Sequence, residues 1–127
     1  GEAEQYTPIL LDCFDRGGAF YGAFEDGELV GVVVLESKFI GKDEDKLQLV
    51  FLQVSRDFRG RGLGRTLFEK AVKRARELDA KALYVSATPS ENTINFYRRM
   101  GCVVTADVDP ELFALEPEDI HMACVIV

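Results

Sequence analysis

Histidine occurs once, at His121, and cysteine three times, at Cys13, Cys102 and Cys124. That odd, widely spaced set excludes a disulfide framework and any familiar zinc constellation, so no metal is expected. Reduced, buried thiols of a cytoplasmic protein are the expected state. Basic residues are also short: 15 Lys and Arg stand against 22 Asp and Glu, a formal net charge of -7. Such a surface lacks what nonspecific nucleic-acid binding needs, while it would suit a cationic substrate. Long apolar runs are missing too. The longest, residues 29–35, is far too short to span a bilayer. No basic segment followed by an apolar run marks a secretion signal near the N-terminus. Neither nucleic acid nor a membrane is therefore expected as a partner.

What is present is an ordinary globular composition, with 47% hydrophobic residues in a chain of 127. That length suits one domain over residues 1–127 and buries enough surface to fold without staples. Residues 19–24 read as a strand, 25–28 as an Asp-Gly turn, and 29–37 as a second strand rich in β-branched valines. A polar loop leads to a third strand at 47–54, in which Leu47, Leu49 and Phe51 should face one way and Val50, Leu52 and Val54 the other. Two apolar faces imply a central strand covered on both sides. At 62–78 the period changes: Leu63, Leu67, Ala71, Ala75 and Leu78 recur at helical spacing, with Phe68 and Val72 widening the stripe. Residues 82–86 read as a strand parallel to the third, and residues from 90 or 91 to 100 as a second helix. Closing strands are expected at 102–106 and 122–127. The order β-β-β-α-β-α-β-β gives an α/β fold: an antiparallel meander followed by a β-α-β unit in a mixed sheet flanked by helices.

The segment joining the third strand to the first helix carries the chemistry. Three glycines alternate with cations in Arg59-Gly60-Arg61-Gly62-Leu63-Gly64-Arg65. Glycine tolerates positive φ and brings no Cβ between backbone and ligand. The first-turn N–H groups of a helix lack intrahelical partners, and the helix dipole favours an anion there. With arginines beside them, these amides form a pyrophosphate cradle. The spacing does not fit a nucleotide-hydrolase phosphate loop, which needs Gly-Lys-Ser/Thr. Nor does it fit a dinucleotide fingerprint, since Arg65 stands where the last glycine belongs.

This chain resembles the GNAT superfamily of acyl-CoA-dependent N-acetyltransferases. The family signature Arg/Gln-x-x-Gly-x-Gly/Ala is matched at every specified position by residues 59–64, and a later helix supplies Asn92, Phe96-Tyr97 and Gly101. The resemblance implies acetyl-CoA as co-substrate and an amine acceptor, with no metal. It implies that Leu52, Gln53 and Val54 on the third strand meet the pantetheine arm. The amides of Arg59, Gly60, Arg61, Gly62, Leu63, Gly64 and Arg65 would hold the pyrophosphate. The third and fourth strands would splay to admit the acyl chain. Asn92 would contact the pantetheine, or else cap the second helix. Tyr97 would protonate the departing thiolate, because a phenol with a pKa near 10 stays protonated at neutral pH.

The general base is less marked. Residues 47–54 contain no Asp or Glu, which leaves Glu36 at the end of the neighbouring strand as the nearest carboxylate. His121, whose imidazole titrates near neutral pH, is a substrate-side candidate expected in a loop before the last strand. Family domains begin with a strand and one or two helices. Here about twenty residues precede Ala19, and only 9–14 read as a short helix, so a shortened N-terminal wall of the acceptor pocket is expected. The resulting expectation is direct acetyl transfer to a primary amine of a small molecule or protein. The alternative is a regulatory module that holds acyl-CoA without turnover. An exposed final strand would suit a homodimer.

Overall fold

The computed structural model describes residues 17–126. The short helix expected at 9–14, and Cys13 with it, lie outside the described residues. The meander forms as the alternation requires. Strands β1 (Ala19–Glu25) and β2 (Glu28–Ile40) join through Asp26 and Gly27, both at positive φ (51° and 80°), the backbone that a two-residue hairpin turn needs. β3 (Lys46–Val54) follows antiparallel to β2. Helix α1 (Leu63–Glu77) then leads to β4 (Ala82–Ala87), which pairs parallel to β3. Helix α2 (Glu91–Arg99), the two-residue strand β5 (Val103–Val104), helix α3 (Pro110–Leu115) and β6 (Ile120–Val125) complete the chain. The sheet order is β1-β2-β3-β4-β6-β5.

Helix α1 packs across the sheet through Leu67, Phe68, Ala71 and Ala75, all buried, as the helical period required. The approach is close. A Cβ on Gly31 of β2 would lie 2.9 Å from Leu67 Cδ1, so a larger residue there would make the Leu67 side chain shift. β2 is covered on both faces, since the adjacent residues Val33 and Val34 are both fully buried. Each fully buried apolar side chain of this kind contributes about 1.5–3 kcal/mol.

Four expectations need correction. In β3 the simple alternation fails: Val34 pairs with Phe51 but Leu35 with Leu49, which leaves Val50 as an extra residue. This bulge resets the phase, so Leu47, Leu49, Leu52 and Val54 all pack on the α1 side. The last strand is not an exposed edge. β6 sits between β4 and β5, where its backbone pairs on both sides, and the edge is β5. β5 itself shrinks from 102–106 to two residues, after which α3 forms on an Asp109 N-cap and Pro110 in the first turn. His121 lies within β6, buried, and not in a loop.

Candidate active site

The matched pairs between β3 and β4 run from Lys46–Ala82 to Leu49–Val85 and stop. Beyond them β3 continues along β2 to Val54, while β4 continues along β6 to Ala87. The two strands therefore part where the Val50 bulge bends β3. Among the described residues, no strand pairs with the β4-facing side of β3 at Leu52, Gln53 and Val54. Backbone groups in that position need partners from elsewhere.

The glycine turn closes one end of this split. After a short 3-10 turn (Arg56–Phe58), Arg59 Nε donates to the carbonyl of Val54 at 3.0 Å and fastens the turn to the end of β3. Gly60 and Gly62 adopt φ of 79° and 81°, a left-handed backbone that costs other residues about 1–2 kcal/mol. Gly62 is the N-cap of α1. No side chain caps the helix, and no carboxylate lies in its first turn. The N–H groups and positive dipole end there are consequently uncompensated. Around them, Arg65 Nε pairs with Glu69 Oε1 at 3.1 Å, and the Arg61 guanidinium lies 5.0 Å above the Phe58 ring.

Helix α2 supplies the opposite wall. Its N-cap is Ser90, whose Oγ accepts from the Thr93 N–H at 3.2 Å, so Asn92 is not the cap. Asn92 is exposed on the first turn and faces the groove. The two helices meet at Gly64, where a Cβ would stand 3.1 Å from Phe96 Cε1. Tyr97 is buried on α2, with its ring edge-on to Phe68 and Phe96 at 6.3 and 5.2 Å. Its hydroxyl makes no hydrogen bond to a described residue, and Tyr97 lines the groove. Burial, with Cys102 adding to it, holds the phenol pKa well above the ordinary tyrosine value. The group is therefore a proton donor at neutral pH.

Between β3, the turn and α2 lies a groove of about 690 Å³. It brings together Leu52, Gln53, Val54, Arg59, Gly60, Gly62, Gly64, Arg65, Asn92 and Tyr97. Arg61 and Leu63 are not in its lining: Arg61 covers Phe58, and Leu63 packs toward the core over Gly31. Glu36 is also outside it. Glu36 is buried on β2, its Oε1 accepting from the Ser37 N–H at 2.9 Å, in a stretch where the register with β3 is interrupted. The lining also includes Phe58, Thr93, Asn95, Phe96, Arg99 and Met100. Asn95 and Arg99 follow Asn92 at helical spacing, a signal the sequence offered; Phe58 had none. Among the described residues, three arginines and no carboxylate line this groove, in a chain whose net charge is -7.

His121 stands apart from the groove lining. Tyr84 Oη lies 2.6 Å from His121 Nδ1 and accepts from the Asp109 N–H at 3.0 Å, while His121 Nε2 is 3.2 Å from the Glu116 carbonyl. A neutral ring protonated on Nε2 satisfies all four groups at once. The pair thus fastens both ends of α3 to the sheet, Tyr84 at Asp109 and His121 at Glu116. Among the described residues, no cluster of His, Cys, Asp or Glu could hold a metal ion, and no helix is long and apolar enough to cross a membrane.

Comparison with known proteins gives a consistent picture. The model of the acetyltransferase (GNAT) family matches residues 1–102. Mycothiol acetyltransferase of Propionibacterium freudenreichii is 35% identical over 106 residues, covering 79% of this chain and 32% of that protein. The chain spans about a third to a half of the length of the curated relatives it matches. Among solved structures, a GNAT family acetyltransferase of Elizabethkingia anophelis with acetyl-CoA bound superposes with a TM-score of 0.72 at 19% identity. It covers 94% of this chain and 82% of its own. An acetyltransferase of the GNAT family from Staphylococcus aureus reaches a TM-score of 0.78 at 17% identity, covering 99% and 78%. The solved structures share this fold, the family model covers most of the chain, and the protein belongs to the acetyltransferase (GNAT) family.

Proposed function

We propose that the protein transfers an acetyl group from acetyl-CoA to a primary amine by direct attack. The observation that carries this reading is the groove itself. It runs along β3 at residues 52–54, where among the described residues no strand pairs on the β4 side, to an uncapped helix N-terminus. The described residues that line it include three arginines and no carboxylate. Coenzyme A matches that sequence of features. Its amide-bearing pantetheine arm would pair with the free edge of β3 at Leu52, Gln53 and Val54. Its pyrophosphate would take the amides of residues 59–65, as anions do at helix N-termini. Arg59 and Arg65 add charge at that end, and Asn92 on α2 would bond the arm from the other wall. A fold neighbour that binds acetyl-CoA supports the assignment.

In the reaction, a neutral amine attacks the thioester carbonyl carbon, the carbon–sulfur bond breaks, and the thiolate leaves. Tyr97 would donate its phenolic proton to that sulfur and be reprotonated by the proton the nitrogen sheds as the amide forms. Its raised pKa suits a donor that must stay protonated until the thiolate forms. We assign Glu36 the proton released by the incoming ammonium. It is a buried carboxylate on the strand beside β3, and a strand irregularity of the kind found there re-aims side chains. Among the described residues, no cysteine lines the groove, which favours direct transfer over an acyl-enzyme. The acidic surface favours a cationic acceptor, such as a polyamine, an aminoglycoside, or a protein lysine or N-terminus.

The test is CoA release, followed by chromatography, with acetyl-CoA and a panel of such amines. Amine-dependent release is expected, and it should be lost in Glu36→Gln. A folded protein that binds acetyl-CoA but releases no CoA with any amine would support instead the regulatory module that binds without turnover.

A further inference from the structure

We propose that Cys102 and Cys124 form a redox modification site, a dithiol that a small-molecule disulfide converts to an intramolecular disulfide, with Cys124 as the attacking thiol reached beside Gly101. The pairing of β5 with β6 sets the geometry. Val103 lies opposite Ala123 and Val104 opposite Met122, so the next pair outward is Cys102 and Cys124. The Thr105 N–H donates to the His121 carbonyl at 3.0 Å, which makes that position a hydrogen-bonded pair. Counting in alternation, 103/123 is of the same kind, and 102/124 is a non-hydrogen-bonded pair. Side chains come closest at such pairs, with Cα atoms about 4.5 Å apart. That separation falls within the range a disulfide spans. In agreement, the Cys102 N–H turns away from β6 and donates to the Tyr97 carbonyl at 2.9 Å.

Both thiols are buried, at 2% and 5% exposure, but Cys124 has a window. Gly101 is exposed, at a φ of 97°, and among the described residues beyond its chain neighbours, the one atom within 4 Å of the place its Cβ would take is Cys124 Sγ at 3.7 Å. A glycine at that point leaves the sulfur approachable by a small reagent. The two thiols also differ in chemistry. As a thiol, Cys124 donates to the Met100 carbonyl at 3.5 Å. As a thiolate it would accept from Cys102, which together with the nearby Arg76 lowers its pKa, whereas the same bond and burial raise that of Cys102. The more acidic thiol is therefore the one beside the window.

The step balances. The Cys124 thiolate attacks one sulfur of the disulfide RSSR and expels RS⁻, leaving a mixed disulfide. Cys102 then loses its proton and attacks Cys124 Sγ, and a second RS⁻ departs. Two protein thiols are oxidised, and one RSSR is reduced to two RSH. Met100 loses its S–H donor in the process, and Met100 and Tyr97, whose carbonyl Cys102 holds, both belong to the groove wall. The proposal stands on the thiols alone and is independent of acetyl transfer.

The test incubates the folded Cys13→Ser chain with 2-hydroxyethyl disulfide and reads the intact mass and thiol alkylation. A product lighter by two hydrogens, with neither thiol alkylatable after unfolding, is expected. Cys102→Ser should instead stop at one hydroxyethylthio adduct on Cys124, and Cys124→Ser should acquire none. If either variant fails to fold, peptide mapping of the three-cysteine chain at limiting reagent should show the transient adduct on Cys124. Two thiols that remain alkylatable, or an adduct that forms first on Cys102, would overturn the proposal.

Discussion

Leu49 and Val85 form the last matched pair between β3 and β4, and Leu49 is also the last residue of β3 before the Val50 bulge. Bulge and separation thus coincide. An extra residue bends its strand and increases the local twist, which carries the end of β3 away from β4 and holds the groove open between them. The groove follows from a local irregularity in one strand.

Tyr97→Phe tests the proposed proton donor. The ring contacts with Phe68 and Phe96 survive the change, so folding and acetyl-CoA affinity should stay within about twofold of wild type. Turnover should fall by roughly 10²–10⁴, the usual share of general acid catalysis. Steady-state kinetics with calorimetric binding to the same sample separates the two. A parallel loss of affinity would mean that the hydroxyl binds and does not donate.

The pH profile carries a sign as well. Burial disfavours the Tyr97 phenolate, so the folded pKa lies above the unfolded value near 10. The folded state then binds more protons above that pH. Stability linked to Tyr97 is fully present below about pH 10 and is lost as pH rises beyond it. Urea denaturation of wild type and Tyr97→Phe between pH 8 and 11 should show a steeper alkaline loss in wild type. An activity limb titrating below the ordinary tyrosine range must come from another group.

Gly62 and Gly64 should respond differently to alanine. At Gly62 space is open and only the positive φ objects, so Gly62→Ala should cost about 1–2 kcal/mol of stability. It should weaken acetyl-CoA binding through a displaced turn. At Gly64 the added methyl presses on Phe96, whose ring must shift by a few tenths of an ångström. That change should leave the turn intact and act on the α2 wall. Thermal denaturation and titration with acetyl-CoA distinguish them: Gly64→Ala should be the milder in binding.

Tyr84→Phe tests the fastening of α3. It leaves His121 Nδ1 and the Asp109 N–H without their common partner, at a cost of about 1–3 kcal/mol for each buried group so stranded. Hydrogen exchange of residues 109–116 should accelerate in the variant more than that of α1. Uniform acceleration would assign Tyr84 to the core alone.

Much of this was legible in the sequence. The Asp26-Gly27 turn, the stripe at helical spacing from Leu63 to Leu78 and the glycines at 60 and 62 each impose a local geometry that tertiary packing then kept. The bulge was not legible, because Leu49, Val50, Phe51 and Leu52 are all apolar and a uniformly apolar run gives alternation no phase. Nor was the place of β6 inside the sheet, since pairing with β4 is a contact between distant residues that no local pattern encodes. Helix α3 is short, although Asp109-Pro110 is an N-terminal signal of the ordinary kind. His121 was misjudged because its partner Tyr84 lies 37 residues away.

The most direct measurement is a calorimetric titration of the folded protein with acetyl-CoA, with CoA, ATP and NAD as controls. Saturable binding of acetyl-CoA, with CoA retained and ATP and NAD at least tenfold weaker, is the predicted result, because only the coenzyme A ligands carry a pantetheine arm for the free edge of β3. Binding of ATP or NAD equal to that of acetyl-CoA, or no heat with acetyl-CoA in protein shown to be folded and unloaded, would contradict it.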